Sequence, residues 1–475
     1  MLTLTPIIAP HIQDTLSCEN RIREWLTAFG SPVNLVYPHA VVDNVYKFQE
    51  VFKTHNIKGE IFYAYKANKS IAILKQLAIS GVHVDVASER ELQKALSAGF
   101  VGQRIEATGP KNTSFIQLAL LHGVVFNVHS PWELETILAL KRKLKTSSSP
   151  VPVFIRLKEF ASGNIDIVRK DAKFGFSITE ARNAIETLKH SKELEFYGFS
   201  FHLSTISELE RIVAIEQSLV LTLEAIKAGL SPKGINIGGG LSANFLENEK
   251  EWHDYIFALK DSLLDPNKPS MSWNQSGMGY WSENGTIRGS AKFSDFYRPY
   301  DQFQELDAVL SGTTPTFGTI SRFLEENMLT LFMEPGRSLL DQAGVTLAQV
   351  VSVHTSLKGE TVVFLDMNRS HLNSIELEFM SDPVLIASDK DKKKEDASHG
   401  VFLSGNLCLP HDFICRRKVF FKHKVEPGDI LAFINTAGYF MDFTESETIQ
   451  HPLAYKLAID SHGWSLDETY EPKYN

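Results

Sequence analysis

Lys66 closes the apolar, strand-like run IFYAY and is followed by Ala67 and Asn68. A lysine held at such a strand end can be desolvated. Burial disfavours the ammonium form, lowers the pKa and leaves an amine suited to a Schiff base with pyridoxal phosphate or a carbonyl substrate. The same pattern also suits a lysine that lays its stem on apolar surface and keeps its charge in water. Other polar residues stand at equivalent positions. Asp85 and Ser88 end the run VHVDVA, His202 ends FYGFSFHL, Gly238, Gly239 and Gly240 end GINI, and Glu334 with Arg337 follows LTLFM. Taken singly, each has a plain structural reading. A triple glycine makes a tight turn, and it also lets backbone N–H groups approach a phosphate with no Cβ in the way. A lone histidine is commonly a hydrogen-bonded core residue, and Glu-Pro-Gly-Arg commonly a corner. Their joint placement after successive strands is what points to a site.

The elements that must position these groups run from about residue 34 to 337. Short apolar runs (NLVYP, EIFYAYK, VHVDVA, RIEATG, VVFNVH, VFIRL, FYGFSFHL, GINIGGG, LTLFMEPG) alternate with stretches of helical periodicity such as SERELQKALSAGF. About eight such units predict an α/β fold built on a (β/α)8 barrel, with catalytic groups at the C-terminal strand ends. An open doubly wound sheet is the alternative. Beyond Arg337 the pattern becomes short strands separated by turns, among them TVVFLDMN, GVFLSGNL and DILAFINTAGYF. This predicts a β-barrel or β-sandwich domain over residues 338–475, with residues 1–33 packed on it. Two segments break the rhythm. Residues 245–323 are rich in aromatic residues, Ser, Gly and Asn without a sustained period, and read as an insertion. Residues 388–400, SDKDKKKEDASHG, read as a charged surface loop.

Composition narrows the function classes. At 475 residues and 43% hydrophobic content, the chain can bury one large core and a second. A net charge of -9 gives no bulk attraction for nucleic acid or an anionic membrane, so a small-molecule partner is expected. Cys18, Cys408 and Cys415 form neither a disulfide framework nor a zinc spacing, which favours a reducing compartment. The N-terminus lacks a basic segment followed by an apolar core, and no run of roughly 18 apolar residues occurs. A cytoplasmic protein that does not cross a membrane is the expectation.

The motifs together resemble the fold-type III pyridoxal phosphate (PLP) enzymes, the alanine racemase and ornithine/diaminopimelate decarboxylase superfamily, and more closely its decarboxylase branch. YAYKAN resembles the lysine motif, VDVASERE the Asp-x-Ala-Ser segment, SFHLST the His-x-Gly-Ser element, INIGGGLS the phosphate loop, MEPGR the Glu-Pro-Gly-Arg turn and NLCLPHD the interface cysteine motif. The resemblance runs in family order from about residue 34 to 443. It implies that Lys66 forms the Schiff base with PLP, that Glu334 pairs with the pyridinium nitrogen, and that His202 stacks on the ring. Arg156 is implied near the phenolic oxygen, with Thr205, Gly239, Gly240, Arg337 and Tyr439 on the phosphate. Asp85 and Glu91 would assist proton transfer at the lysine. Cys408 would enter the active site of a partner subunit, which implies a homodimer with shared sites.

The departures lie on the substrate side. Leu409 replaces the acid that in the family binds a distal amine. Arg369 is kept, but Asn373 stands at a tyrosine position, and Ser204 replaces a glycine. These changes argue against lysine, ornithine or meso-diaminopimelate as simple substrates. Decarboxylation of an amino acid or amino-acid conjugate, such as an intermediate in siderophore or other specialised metabolism, is the leading expectation. A PLP-dependent racemase and a non-catalytic PLP-binding protein are the alternatives.

Overall fold

The computed structural model describes residues 2–144, 149–160, 172–205, 207–265, 267–373, 378–388 and 398–467. Eight parallel strands close a barrel in chain order, from Gly59–Ala64 through His83–Val86, Ile105–Ala107, Val125–Val128, Val151–Arg156, Leu194–Ser200 and Gly234–Asn236 to Thr330–Met333. The last strand pairs with the first, Leu331 opposite Gly59, which completes the ring. These strands are apolar on both faces because the lumen fills with side chains while helices cover the outside. Local capping sets where the helices begin. Ser70, Ser88 and Asn112 each accept a backbone N–H of the first turn, fixing three successive strand-to-helix loops at one end of the barrel.

The run NLVYP does not join the barrel. Its strand Val33–Val36 pairs antiparallel with Gly344–Thr355 and parallel with Tyr455–Asp460, inside a second, nine-stranded sheet. All of its residues are buried, so its apolar content is the same as that of a barrel strand. Only the pairing distinguishes the two, and removing NLVYP from the candidates leaves the eight strands that close. The second sheet gathers the remaining C-terminal strands, as the short alternating runs predict. Helices Pro10–Ser17 and Glu19–Phe29 bury Ile12, Leu16, Ile22, Trp25 and Leu26. Trp25 and Phe29 meet Trp464 of the terminal hairpin edge-on at 6.2 and 5.6 Å between ring centroids.

Residues 245–323 are more regular than expected. They hold a helix at Glu249–Asp261, a hairpin of Tyr280–Glu283 with Thr286–Gly289, and helices at Gln302–Ser311 and Ile320–Glu326. Helix Gln302–Ser311 packs Phe303 against Phe48 of the barrel helix Pro38–Thr54, with ring centroids 4.7 Å apart. It is therefore one of the barrel's own outer helices, and the added structure is the part before it. Aromatic residues of that part build a core shared with the second sheet, in which Phe296 lies against Phe245, Phe379 and Phe440. Trp252 is buried against Phe293, Trp273 is half-buried against Phe402 and Phe413, and Trp281 is exposed. Of the charged run at 388–400, residues 389–397 lie outside the described residues.

Candidate active site

Lys66 sits in a single 3₁₀ turn, Tyr65–Ala67, that ends the strand Gly59–Ala64. The turn and the residues after it are clamped by the C-terminal domain. Asn68 donates to the Ala437 carbonyl at 2.9 Å, the Tyr439 N–H donates to Ala67 at 3.0 Å, and the Lys69 N–H donates to Asp442 Oδ2 at 2.9 Å. Asp467 accepts from the Ser70 hydroxyl and, at 3.0 Å, from the Ile71 N–H. Lys456, fully buried, pairs with Asp442 at 2.5 Å and reaches Asn68 Oδ1 at 3.3 Å. The lysine is thus presented by the barrel and held still by the other domain.

The charge state of Lys66 differs from the sequence expectation. Burial alone pushes its pKa down, but Asp85, then Tyr439 and Glu334, outweigh burial and Arg156, and the net direction is upward. Asp85, Tyr439 and Glu334 together favour a cation at Nζ, which the lysine's own segment does not show. Asp85 is buried with neither carboxylate oxygen hydrogen-bonded among the described residues. Burial and then the nearby Glu334 push its pKa well up, with Lys66 opposing. Glu91 is also raised, by burial, although it accepts the Ala87 N–H at 2.6 Å.

Glu334 is fixed by residues that the motifs did not single out. Asn127 and Asn236 both donate to its Oε1, at 2.9 and 2.7 Å. Asn127 is oriented in turn by the Ser200 hydroxyl, which donates to its Oδ1 at 2.7 Å, and Asn236 Oδ1 takes the Gly238 N–H at 2.9 Å. Glu106 lies beside this cluster, its pKa pushed well up by burial and then by Glu334 and Asp85. An uncharged polar residue inside an otherwise apolar strand, as in VVFNVH or GINI, is the signal that marks both asparagines.

The other end of the site is built for an anion. Gly238 and Gly240 have φ of +65° and +82°, and an added Cβ would stand 2.2 Å from the Phe201 carbonyl oxygen and 1.9 Å from that of Leu203. At Gly239 a Cβ would stand 2.5 Å from the Glu334 carbonyl oxygen. Glycine is therefore required at all three, and the loop is braced by buried Arg211, which donates to the Gly239 carbonyl at 3.1 Å. Arg337 stacks on Phe440 and Tyr439, 5.2 and 5.9 Å from their ring centroids. Burial pushes its pKa down, Tyr439 alone opposes this, and no described carboxylate pairs with it. Lys66, His202, Thr205, Gly240, Glu334, Arg337 and Tyr439 line one cavity of about 340 Å³. Leu241, Ser242 and Ala243 continue its wall, and Ser294, Asp295 and Arg298 reach it from the segment after the glycine loop.

The substrate-side residues do not line this cavity in the single chain. Cys408 and Leu409 are exposed on the loop between strands His399–Ser404 and Phe413–Phe421. Arg369 lines a separate surface hollow with Pro410 and His411. Asn373, at φ +45°, is buried behind the cavity and donates to the Tyr439 carbonyl at 2.9 Å. Arg156 enters through its field at Lys66 and Asp85.

The sequence profile described as "Pyridoxal-dependent decarboxylase, pyridoxal binding domain" matches residues 19–272, more than half of the chain. The chain belongs to this family. It is 27% identical over 466 residues to an uncharacterized protein of Sinorhizobium fredii, covering 96% of this chain and 94% of that one. It is 25% identical to a diaminopimelate decarboxylase of Staphylococcus aureus, covering 90% and 89%. Among solved structures, the diaminopimelate decarboxylase of Helicobacter pylori complexed with L-lysine superposes with a TM-score of 0.68 at 20% identity, covering 94% and 95%. The Paramecium bursaria Chlorella virus arginine decarboxylase bound to agmatine gives 0.64 at 20%, covering 90% and 96%. Both share the barrel and sheet architecture.

The family's cofactor is PLP, and the residues present fit it. A buried guanidinium without a carboxylate and three glycines that admit close backbone approach suit a phosphate. The cavity volume, about 340 Å³, lies within the usual range for small-molecule sites. Glu334, anchored by two amide donors, offers its carboxylate from the wall between Lys66 and the glycine loop. No helix among the described residues is long and apolar enough to cross a membrane.

Proposed function

We propose that the protein decarboxylates an amino acid or an amino-acid conjugate, with Lys66 carrying the cofactor. What supports this most is the convergence of Lys66, Glu334 and Arg337 on one cavity, with Glu334 fixed by Asn127 and Asn236. When bound, PLP supplies an electron sink for the pair left as a Cα–carboxylate bond breaks. Glu334 would keep a proton on the ring nitrogen, with Arg156 near the phenolic oxygen. Arg337, Thr205, Tyr439 and the Gly239 and Gly240 backbone would hold the phosphate, and His202 would pack on the ring. Lys66 Nζ binds and returns a proton under the field of Asp85, with Glu91 beside it.

Cys408 belongs to the same reading through a second copy of the chain. It is exposed on its loop and absent from its own cavity, and in a homodimer it would serve the partner's site by donating a proton to the product carbon. Among the relatives are diaminopimelate decarboxylases; by the resemblance Leu409 stands where an acid would pair a distal ammonium, which favours a substrate other than theirs.

The test is CO2 release by purified, cofactor-loaded protein across amino acids and their amide conjugates, with peptide mapping after borohydride treatment. Release from at least one compound and reductive fixation of the cofactor on Lys66 are expected. Fixation elsewhere refutes the lysine assignment; fixation on Lys66 without CO2 from any compound refutes decarboxylation.

A further inference from the structure

Arg298 is 8% exposed and lines the same cavity as Lys66 and Arg337. Its only hydrogen bond among the described residues is made by its backbone, whose N–H donates to Asn244 Oδ1 at 3.0 Å. No described carboxylate pairs with its guanidinium. Of the acids around the cavity, Glu334 takes the amides of Asn127 and Asn236, and Glu208 interacts with Tyr300. Glu305 accepts the Ser242 N–H at 3.0 Å and the Ser242 hydroxyl at 2.6 Å, and faces Arg211 at 3.9 Å. Asp295 is exposed at the cavity rim. The residue as a whole is buried, but its guanidinium nitrogens are not closed off, so the charged head opens on the cavity and is free to meet an anion there.

The backbone around Arg298 is rigidly tied to the site. The Phe245 N–H donates to the Phe296 carbonyl at 2.9 Å, and the Phe245 and Phe296 rings lie 4.5 Å apart. Phe296 also meets Phe440, the ring on which Arg337 stacks. The segment that carries Arg298 is thereby anchored to the platform under the phosphate-binding arginine. Phosphate already has Arg337 and the glycine loop, which leaves one cation in the cavity unassigned.

We propose that Arg298 is a specificity-determining residue that binds a carboxylate on the distal end of the substrate, so that the enzyme selects side chains ending in an anion rather than an amine. This rests on the decarboxylase reading above. Two features act in one direction: by the resemblance Leu409 stands where an acid would pair an amine, and Arg298 brings a positive charge to the cavity. The rim carboxylate of Asp295 opposes this only weakly, because it is exposed and water screens it.

Equilibrium binding to the cofactor-loaded protein tests it without relying on turnover. Calorimetric titration with L-2-aminoadipate, L-lysine and L-norleucine compares a distal carboxylate, ammonium and methyl on one chain length. Aminoadipate is expected to bind most tightly. Arg298→Met should weaken it about 10- to 100-fold, the loss of a charge-assisted pair, while the norleucine affinity and the cofactor content hold. Arg298→Lys should restore part of the affinity. Equal or tighter binding of lysine overturns the proposal, and so does loss of cofactor from Arg298→Met, which would assign the arginine to the phosphate. Selective aminoadipate binding without CO2 from any compound would count against the decarboxylase reading alone; CO2 release independent of Arg298 would count against this proposal alone.

Discussion

Replacing Lys456 by methionine should unlock the turn that presents Lys66, although the two residues are far apart in sequence. Lys456 is fully buried and pairs with Asp442 at 2.5 Å. Burial works against its charge, but Asp442 and then Asp467 hold its pKa above the ordinary lysine value. At that separation and an effective dielectric near 20, the attraction is about 6–7 kcal/mol, set against several kcal/mol of desolvation for each ion. The net worth of the pair is small, yet breaking it strands Asp442, whose Oδ1 is already buried without a partner. The expected loss is about 3–5 kcal/mol, or roughly 3–5 °C in melting temperature for a chain of 475 residues. Asn68 and Lys69 lean on the same pair, so retention of the cofactor should weaken in parallel. Thermal melts followed by circular dichroism and by cofactor absorbance measure both. A double variant, Lys456→Met with Asp442→Leu, removes both charges and should recover all but about 1–3 kcal/mol, the cost of leaving the Lys69 N–H unpaired. A single variant that melts within about 2 °C of wild type, or a double variant no better than the single, would refute the argument.

Two further outcomes follow from other parts of the fold. His371 accepts the Asn368 N–H at Nδ1 and donates from Nε2 to the Pro452 carbonyl, and burial lowers its pKa to about 4. The folded state therefore keeps it neutral while the unfolded chain takes up a proton below about 6.5, so its stabilisation is complete above that pH and is lost as pH falls toward 4. Between pH 6.5 and 5 the wild type should lose about 2 kcal/mol more than His371→Gln in urea titrations, and parallel losses would exclude this role. Gly240→Ala forces a Cβ onto the Leu203 carbonyl and should abolish cofactor uptake in reconstitution. Gly123→Ala, also at positive φ but in open space, should cost only about 1–2 kcal/mol and leave uptake intact.

The catalytic end of the barrel was legible because each group follows an apolar strand, and strand ends in a barrel converge whatever lies between them. Lys66, His202, Gly240, Glu334 and Arg337 meet in one cavity for that reason. NLVYP was misplaced because burial on both faces leaves the same composition in a barrel strand and in the middle of a large sheet. Helix Glu249–Asp261 was hidden by its surroundings: Trp252, Tyr255 and Leu259 share a face at helical spacing, but polar and glycine-rich stretches follow and blur the period. The upward shift at Lys66 was not legible at all, since it depends on Asp85, Tyr439 and Glu334, which only the folded chain brings near. Asn127 and Asn236 belong with these, for their function appears only when both aim at one oxygen.

The clamp on the Lys66 turn also orders events in time. A ribosome delivers the barrel strands long before Asp442, Lys456 and Asp467, and chains fold progressively as they emerge. Until those residues arrive, Asn68, Lys69 and Ser70 lack the partners that hold the lysine in place. On the proposed role of Lys66, cofactor capture should wait for translation to reach the last strands, and a chain cut short before residue 442 should carry every barrel motif yet bind the cofactor poorly.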